Sequence, residues 1–232
     1  MEKERKHMPE LHSRLKQNII EVPKAIRQAS GISIYGKRIK SILYTMDVAV
    51  IENNNADAIL AVYPWTPKTS ILRAISQVAK VPIFAGIGGG LTSGARSARL
   101  GSFAEEHGAF CVVLNAPADL ETIRAVDEDV DIPLIYTVVN DSPDLQAYID
   151  AGVDIFNVAG GKNTANLVRW IRRQFPEFPI IASGGHSDEQ IMETIQAGAN
   201  AITYTAYGAT EKYFQKKMEQ YREQDYEAEK KI

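Results

Sequence analysis

The sequence predicts an α/β fold of the (β/α)8 type: a single-domain TIM barrel with an N-terminal helical extension and a charged C-terminal helix. Three observations carry that prediction. The chain has 232 residues, a length that suits one large domain better than two full ones. Eight short apolar runs rich in β-branched residues return about every 20 to 25 residues. Between them lie segments with helical spacing of apolar side chains, and eight strands each followed by a helix close most simply into a barrel. An open doubly wound sheet is the alternative, because strand order is not visible in a sequence.

Residues 1–39 precede the repeat and read as an extension of one or two helices, at 11–18 and 22–29, placed to plug the bottom of the barrel. The barrel proper is assigned to residues 40–232. Its runs lie at 41–47, 58–64, 82–85, 110–115, 133–139, 155–158, 179–183 and 201–205. Three of them open on a proline after a helix, at Pro82, Pro133 and Pro179, which stops the helix and is tolerated at a first strand position. Two others follow a glycine suited to a left-handed helix cap, in Ala151-Gly152-Val153-Asp154 and Ala197-Gly198-Ala199-Asn200. The runs are continuously apolar instead of alternating, as parallel strands covered on both faces require. Helical faces follow in Ile71, Leu72, Ile75 and Val78, in Leu167, Trp170 and Ile171, and in Ile191, Met192 and Ile195. The tail, 211–232, is charged and helix-prone, with Tyr213, Phe214 and Met218 as its apolar stripe.

Composition narrows the function classes. A net charge of −3 offers no field for a polyanion, so nucleic acid is not an expected partner. No run reaches the roughly 18 apolar residues of a membrane span. One cysteine, Cys111, cannot form an internal disulfide, and the expected compartment is the cytoplasm. It lies inside an apolar run and reads as a small buried hydrophobe. No G-x-S-x-G elbow and no His/Asp/Glu cluster with metal-ligand spacing occurs, so a hydrolase is the less supported class, and neither cofactor nor metal is expected.

In a barrel of this type the active site gathers at the carboxyl ends of the strands. Two glycine-rich segments fall there: Gly86-Ile87-Gly88-Gly89-Gly90 after the third run, and Ser183-Gly184-Gly185-His186 after the seventh. Successive backbone N–H groups at such a turn can cradle phosphate, although glycines also simply permit tight strand-to-helix connections. Gly160 and Gly161 after the sixth run, and Gly208 after the eighth, extend the candidate binding set. Asn115 and Asn157 end the fourth and sixth runs, where a polar side chain facing the mouth contacts ligand or joins a hydrogen-bonded network.

These motifs resemble the ribulose-phosphate-binding barrels, which include sugar-phosphate isomerases and the N-acylmannosamine-6-phosphate epimerases. The resemblance rests on Val81-Pro82-Ile83-Phe84-Ala85-Gly86 with Gly88-Gly89-Gly90, and on Phe178-Pro179-Ile180-Ile181-Ala182-Ser183-Gly184-Gly185 followed by Ala197-Gly198-Ala199-Asn200-Ala201. It implies a phosphate loop after the seventh strand and acidic residues ending the first and fifth, positions held here by Asp47 and Asp141. The chain departs from the pattern in Tyr63-Pro64-Trp65-Thr66-Pro67-Lys68 after the second run and in Ala206-Tyr207-Gly208-Ala209-Thr210 after the eighth.

Each remaining candidate carries two readings. Asp47 either transfers a proton or caps the following helix, and Asp141 in Asn140-Asp141-Ser142-Pro143 reads more readily as a cap. Lys162, like Lys68, either meets a phosphate or forms a Schiff base, or is an exposed loop lysine. His186 either titrates beside the phosphate loop or binds nothing. Trp65 is either a wall over the site or a packed loop aromatic. The expected function is therefore an isomerase, epimerase or lyase, metal-independent and dimeric, moving a proton on a small phosphorylated carbohydrate or organic acid. The alternative is a phosphate-ester sensor resembling the glycerol-3-phosphate-responsive antiterminators, which binds without turnover.

Overall fold

A computed structural model describes residues 19–206 and the single positions 9, 11, 212, 215, 216, 218, 219 and 222. The expected helix at 11–18 and most of the tail lie outside the described residues.

Eight parallel strands form a closed barrel: β3 (Ser41–Tyr44), β4 (Ala58–Ala61), β5 (Ile83–Gly88), β6 (Cys111–Leu114), β7 (Leu134–Val138), β8 (Ile155–Val158), β9 (Ile180–Ser183) and β10 (Ala201–Thr205). Each falls on one of the eight expected runs. Helices α1 (Val48–Glu52), α2 (Thr69–Val78), α3 (Gly94–Glu106), α4 (Leu120–Asp127), α5 (Leu145–Asp150), α6 (Thr164–Gln174) and α7 (Asp188–Gln196) connect them in turn. The continuous apolar character of the runs has a direct cause. One alternating set, Ile42, Leu60, Phe84, Val113, Ile135 and Ile181 among them, fills the barrel interior. The other set, including Leu43, Ile59, Val112, Phe156 and Ile202, packs outward under the helices. Cys111 belongs to the interior, where burial pushes its thiol well above the ordinary range.

The extension differs from the helices expected there. Residues 22–29 give only a 3-10 turn, Lys24–Gln28, entered from Pro23, and residues 32–39 form a hairpin, β1 (Ile32–Ile34) with β2 (Lys37–Ile39). The reason is local: Tyr35 and Gly36 take φ of 48° and 76°, the two left-handed positions of a two-residue hairpin turn. Ile34 and Ile39 of this hairpin join the interior core, so a hairpin closes the end of the barrel where a helix was expected.

At that closed end one device recurs. The residue just before β4, β8 and β10 turns its side-chain oxygen onto the first amide of the preceding strand. Asp57 accepts from Lys40 and Ser41 N–H, both at 2.9 Å, Asp154 accepts from Leu134 N–H at 2.8 Å, and Asn200 accepts from Ile180 N–H at 3.0 Å. Asn200 also accepts from the Arg172 guanidinium at 2.9 Å and donates to Ser30 Oγ at 3.0 Å. Arg172 itself reaches the carbonyls of Phe175, Pro176, Phe178 and Gly198, tying α6 to the starts of β9 and β10.

Two outcomes follow for stability. Asn200→Ala leaves the Ile180 N–H and one guanidinium donor without their partner and is expected to cost about 2 kcal/mol in chemical denaturation. Asp154 behaves in the opposite sense. Burial pushes its carboxyl above the ordinary range, against the Leu134 N–H, and the neighbouring Asp127 adds to the rise. The folded state therefore holds its proton more tightly than the unfolded chain. Stability from this group falls as pH rises from about 4 through the raised value. Asparagine keeps the acceptor, as Asn200 shows at the equivalent place. Asp154→Asn is expected to raise the melting temperature at pH 7, with the gain vanishing below about pH 4 in a pH series of thermal melts.

Candidate active site

The inward alternation that fills the barrel with aliphatic side chains turns polar at the carboxyl ends. Tyr44, Asn115, Thr137, Asn157, Ser183, Thr203 and Thr205 surround a cavity of about 290 Å³, with Leu60, Val62 and Ala159 completing its wall. Thr137 and Asn157 are register partners across β7 and β8, and Ser183 and Thr203 across β9 and β10. Pairing therefore sets polar groups side by side. Asn157 Nδ2 donates to Thr137 Oγ1 at 3.1 Å, and Thr137 Oγ1 donates to Asn115 Oδ1 at 3.0 Å. That relay has one direction. Asn157 Oδ1 is left buried without a partner at one end, and across the cavity Thr203 Oγ1 is equally buried and unpartnered. A buried polar atom left unpaired costs about 1–3 kcal/mol, so each of these two is a ready acceptor for a ligand group.

A second cavity of about 190 Å³ opens beside the first and shares Val62 and Asn115 with it. Its walls come from the loop after β4, with Pro64, Trp65 and Pro67, and from the glycine loop after β5. Gly88 and Gly89 hold φ of 145° and 112°. The Gly89 N–H donates to the Thr92 carbonyl at 2.9 Å, and the Gly88 carbonyl accepts from Asn115 N–H at 3.0 Å. A Cβ at Gly89 would fall on the Asn115 carbonyl, whereas one at Gly90 would meet only Pro117, at 3.8 Å. The close approach at Gly89 thus presses the loop against Asn115, while Gly88 lies against Thr92 and Ser97.

The loop after β9 is also engaged. Gly184 N–H bonds the Thr203 carbonyl at 3.1 Å, and His186 N–H bonds Gln190 Oε1 at 2.7 Å. Ser187 caps α7, whose first turn carries the carboxylates of Asp188 and Glu189. Those two charges oppose an anion at this helix start. Gly185 keeps a φ of 76° with the Gln190 side chain against it.

Among the other sequence candidates, Asp47 caps α1, accepting from Ala49 N–H at 2.8 Å and Val50 N–H at 3.3 Å. Asp141 is exposed and caps nothing in α5; the cap is Asp144, three residues on. Lys68 and His186 are exposed, and Lys162 is exposed on the 3-10 turn Gly161–Asn163 that Gly160 introduces. Gly208 lies outside the described residues. The structure therefore brings Asn115, Asn157 and Ser183 together at the cavity. Sequence reasoning missed Thr137, Thr203 and Thr205, whose signal is a hydroxyl at an inward position within an otherwise apolar run.

No family model matches the chain, and no curated protein matches it. Solved structures do. A phosphonopyruvate hydrolase in complex with oxalate and Mg++ aligns with a TM-score of 0.59 at 16% identity, over 77% of this chain and 82% of that one. A 2,3-dimethylmalate lyase, a member of the PEP mutase/isocitrate lyase superfamily, aligns with a TM-score of 0.60 at 14% identity, over 86% and 85%. The 4-hydroxy-tetrahydrodipicolinate synthase of Methylacidiphilum fumariolicum SolV aligns with a TM-score of 0.59 at 16% identity, over 73% and 69%. At such identities the likeness defines the fold class, the TIM barrel. The superfamily named for the lyase is a different one from the ribulose-phosphate-binding barrels that the glycine motifs resemble.

The Mg++ of the hydrolase neighbour raises the question of a metal here, and these neighbours give no support to a metal-independent reaction. Among the described residues no group of three His, Cys, Asp or Glu side chains could hold an ion. The cavity offers amides and hydroxyls where Mg²⁺ sites ordinarily supply carboxylates, so its donor set does not fit a protein-held Mg²⁺. Gly89→Ala is expected to lower stability by about 2–3 kcal/mol, because its Cβ would collide with the Asn115 backbone and its positive φ is strained for any residue with a Cβ. Urea denaturation checks this.

Proposed function

We propose that this chain is an enzyme of the isomerase or lyase kind, acting on a small hydroxylated organic acid or phosphorylated carbohydrate at the carboxyl-terminal mouth of the barrel. The pair of buried, unpartnered atoms Asn157 Oδ1 and Thr203 Oγ1 carries the reading. A hydroxyl on the substrate donates to Asn157 Oδ1, and Thr203 Oγ1 donates to or accepts from a neighbouring oxygen. The charged end of the substrate lies at the rim, towards the side chains of Lys162 and His186 and the backbone of Gly160 and Gly161, away from the acidic first turn of α7. The mouth holds the reacting carbons and the rim holds the charge. The neighbours named as a hydrolase, a lyase and a synthase support barrel chemistry on small acids as the class.

Asp47, after β3 at the same end, is the proposed proton-transfer residue. Asparagine at this position still caps α1, so its substitution separates chemistry from folding. Once a substrate is in hand, Asp47→Asn is expected to cut kcat by about 10² to 10⁴ and leave the melting temperature unchanged. Full activity in that variant removes Asp47 from the mechanism.

One observation favours the sensor as a second reading. Among the described residues lining the mouth cavity there is no carboxylate, imidazole or amine, and Tyr44 is the one titratable side chain. Calorimetry with a panel of sugar phosphates and hydroxy acids, followed by turnover assays on those that bind, separates the two. Gly185→Val is expected to weaken phosphate esters specifically if the rim holds the phosphate, and unchanged affinity excludes that loop.

A further inference from the structure

Two exposed apolar side chains stand at the rim beside the mouth and serve no packing role. Trp65 is 76% exposed, and Leu91 is fully exposed. Large apolar groups left in water are unremarkable singly, but these two flank one cavity that continues into the candidate site. Part of that cavity's lining is glycine. Gly86, Gly88 and Gly89 present peptide surface with no side chain, and a Cβ at Gly86 would press on Val62. Pro64 and Pro67 add stiff apolar wall, and the Tyr63 hydroxyl is already spent on the Lys68 N–H. The result is a slot with Trp65, Leu91, Pro64 and Pro67 as its apolar lining and Thr66, Thr92 and Asn115 as its polar lining.

We infer that this slot is a subsite for a flat apolar ring, so that the substrate is a short hydroxy acid carrying an aryl or similarly planar substituent. The inference rests on the mouth reading above and extends it. Asn115 and Val62 belong to both cavities, which places the ring directly next to the polar head. Ring burial against Trp65 supplies affinity through area removed from water and through aromatic stacking.

The test compares lactate with phenyllactate, using calorimetry and tryptophan fluorescence on the full chain. Trp170 is half-buried on α6 and gives a steady background, whereas Trp65 reports the slot. Phenyllactate is expected to bind about tenfold more tightly than lactate and to shift the Trp65 emission to the blue. Trp65→Ala is expected to erase that ratio, with lactate affinity and melting temperature held within error. Because Trp65 is a surface side chain, this variant folds, and Trp65→Phe is expected to retain most of the ratio. Lactate binding reports the mouth and the ratio reports the slot. Equal affinities for the two acids, or a ratio that survives Trp65→Ala, overturns the subsite alone. Failure of both acids to bind overturns the mouth reading for hydroxy acids, and the inference falls with it.

Discussion

Closure between the last strand and the first is the constraint on which the rest of this structure depends. β10 pairs with β3 from Ile202 opposite Ser41 to Thr205 opposite Tyr44, and the Ile202 N–H bonds the Lys40 carbonyl below that ladder. A parallel sheet left open here would expose two edges and half of its interior side chains to water. The seam is reinforced from outside the sheet. Asn200 holds Ile180, Arg172 and Ser30, and its carbonyl accepts from Gly31 N–H at 2.7 Å, so the N-terminal hairpin, α6, β9 and β10 share one anchor. Once the ring is closed, every strand must end at the same mouth. The polar positions one pleat beyond the aliphatic layers then face each other without further specification.

The same alternation explains what the sequence disclosed and what it hid. The eight runs were legible because parallel strands are apolar on both faces. The motifs ending in Asp154 and Asn200 were legible only for their glycine caps, and the clamps there and at Asp57 depend on a register that a sequence does not show. The hairpin at 32–39 was not legible as such: its two strands are three residues each, too short to show a period, and only the Tyr35-Gly36 turn distinguishes it. At the site, Asn115 and Asn157 stood out as polar residues ending runs. Thr137 and Thr203 did not, because a threonine inside a strand is ordinary by propensity, and only its register tells which way it points.

Glycine was visible and its purpose was not. A run such as Gly88-Gly89-Gly90 signals left-handed backbone or close approach, and both phosphate binding and tight packing produce that signal. The structure adds the partner. Gly89 lies on the backbone of Asn115, the Gly88 carbonyl accepts from Asn115 N–H, and the Gly89 amide is already bonded to Thr92. Around the second loop, Gln190 and the acidic first turn of α7 occupy the place an anion would take. The start of α7 is therefore disfavoured for an anion, and the neutral mouth offers uncharged hydrogen-bonding groups instead.

Asn115 connects these features mechanically. Its backbone is gripped by the loop after β5, while its side chain accepts from Thr137 and so terminates the relay that orients Asn157. A displacement of the glycine loop moves the Asn115 backbone, and with it the acceptor that fixes the Thr137 hydroxyl. If Thr137 turns away, Asn157 Nδ2 loses its acceptor, and the amide that presents Oδ1 to the cavity is no longer held in one orientation. The cavity beside Trp65 and the mouth cavity therefore both depend on the placement of Asn115.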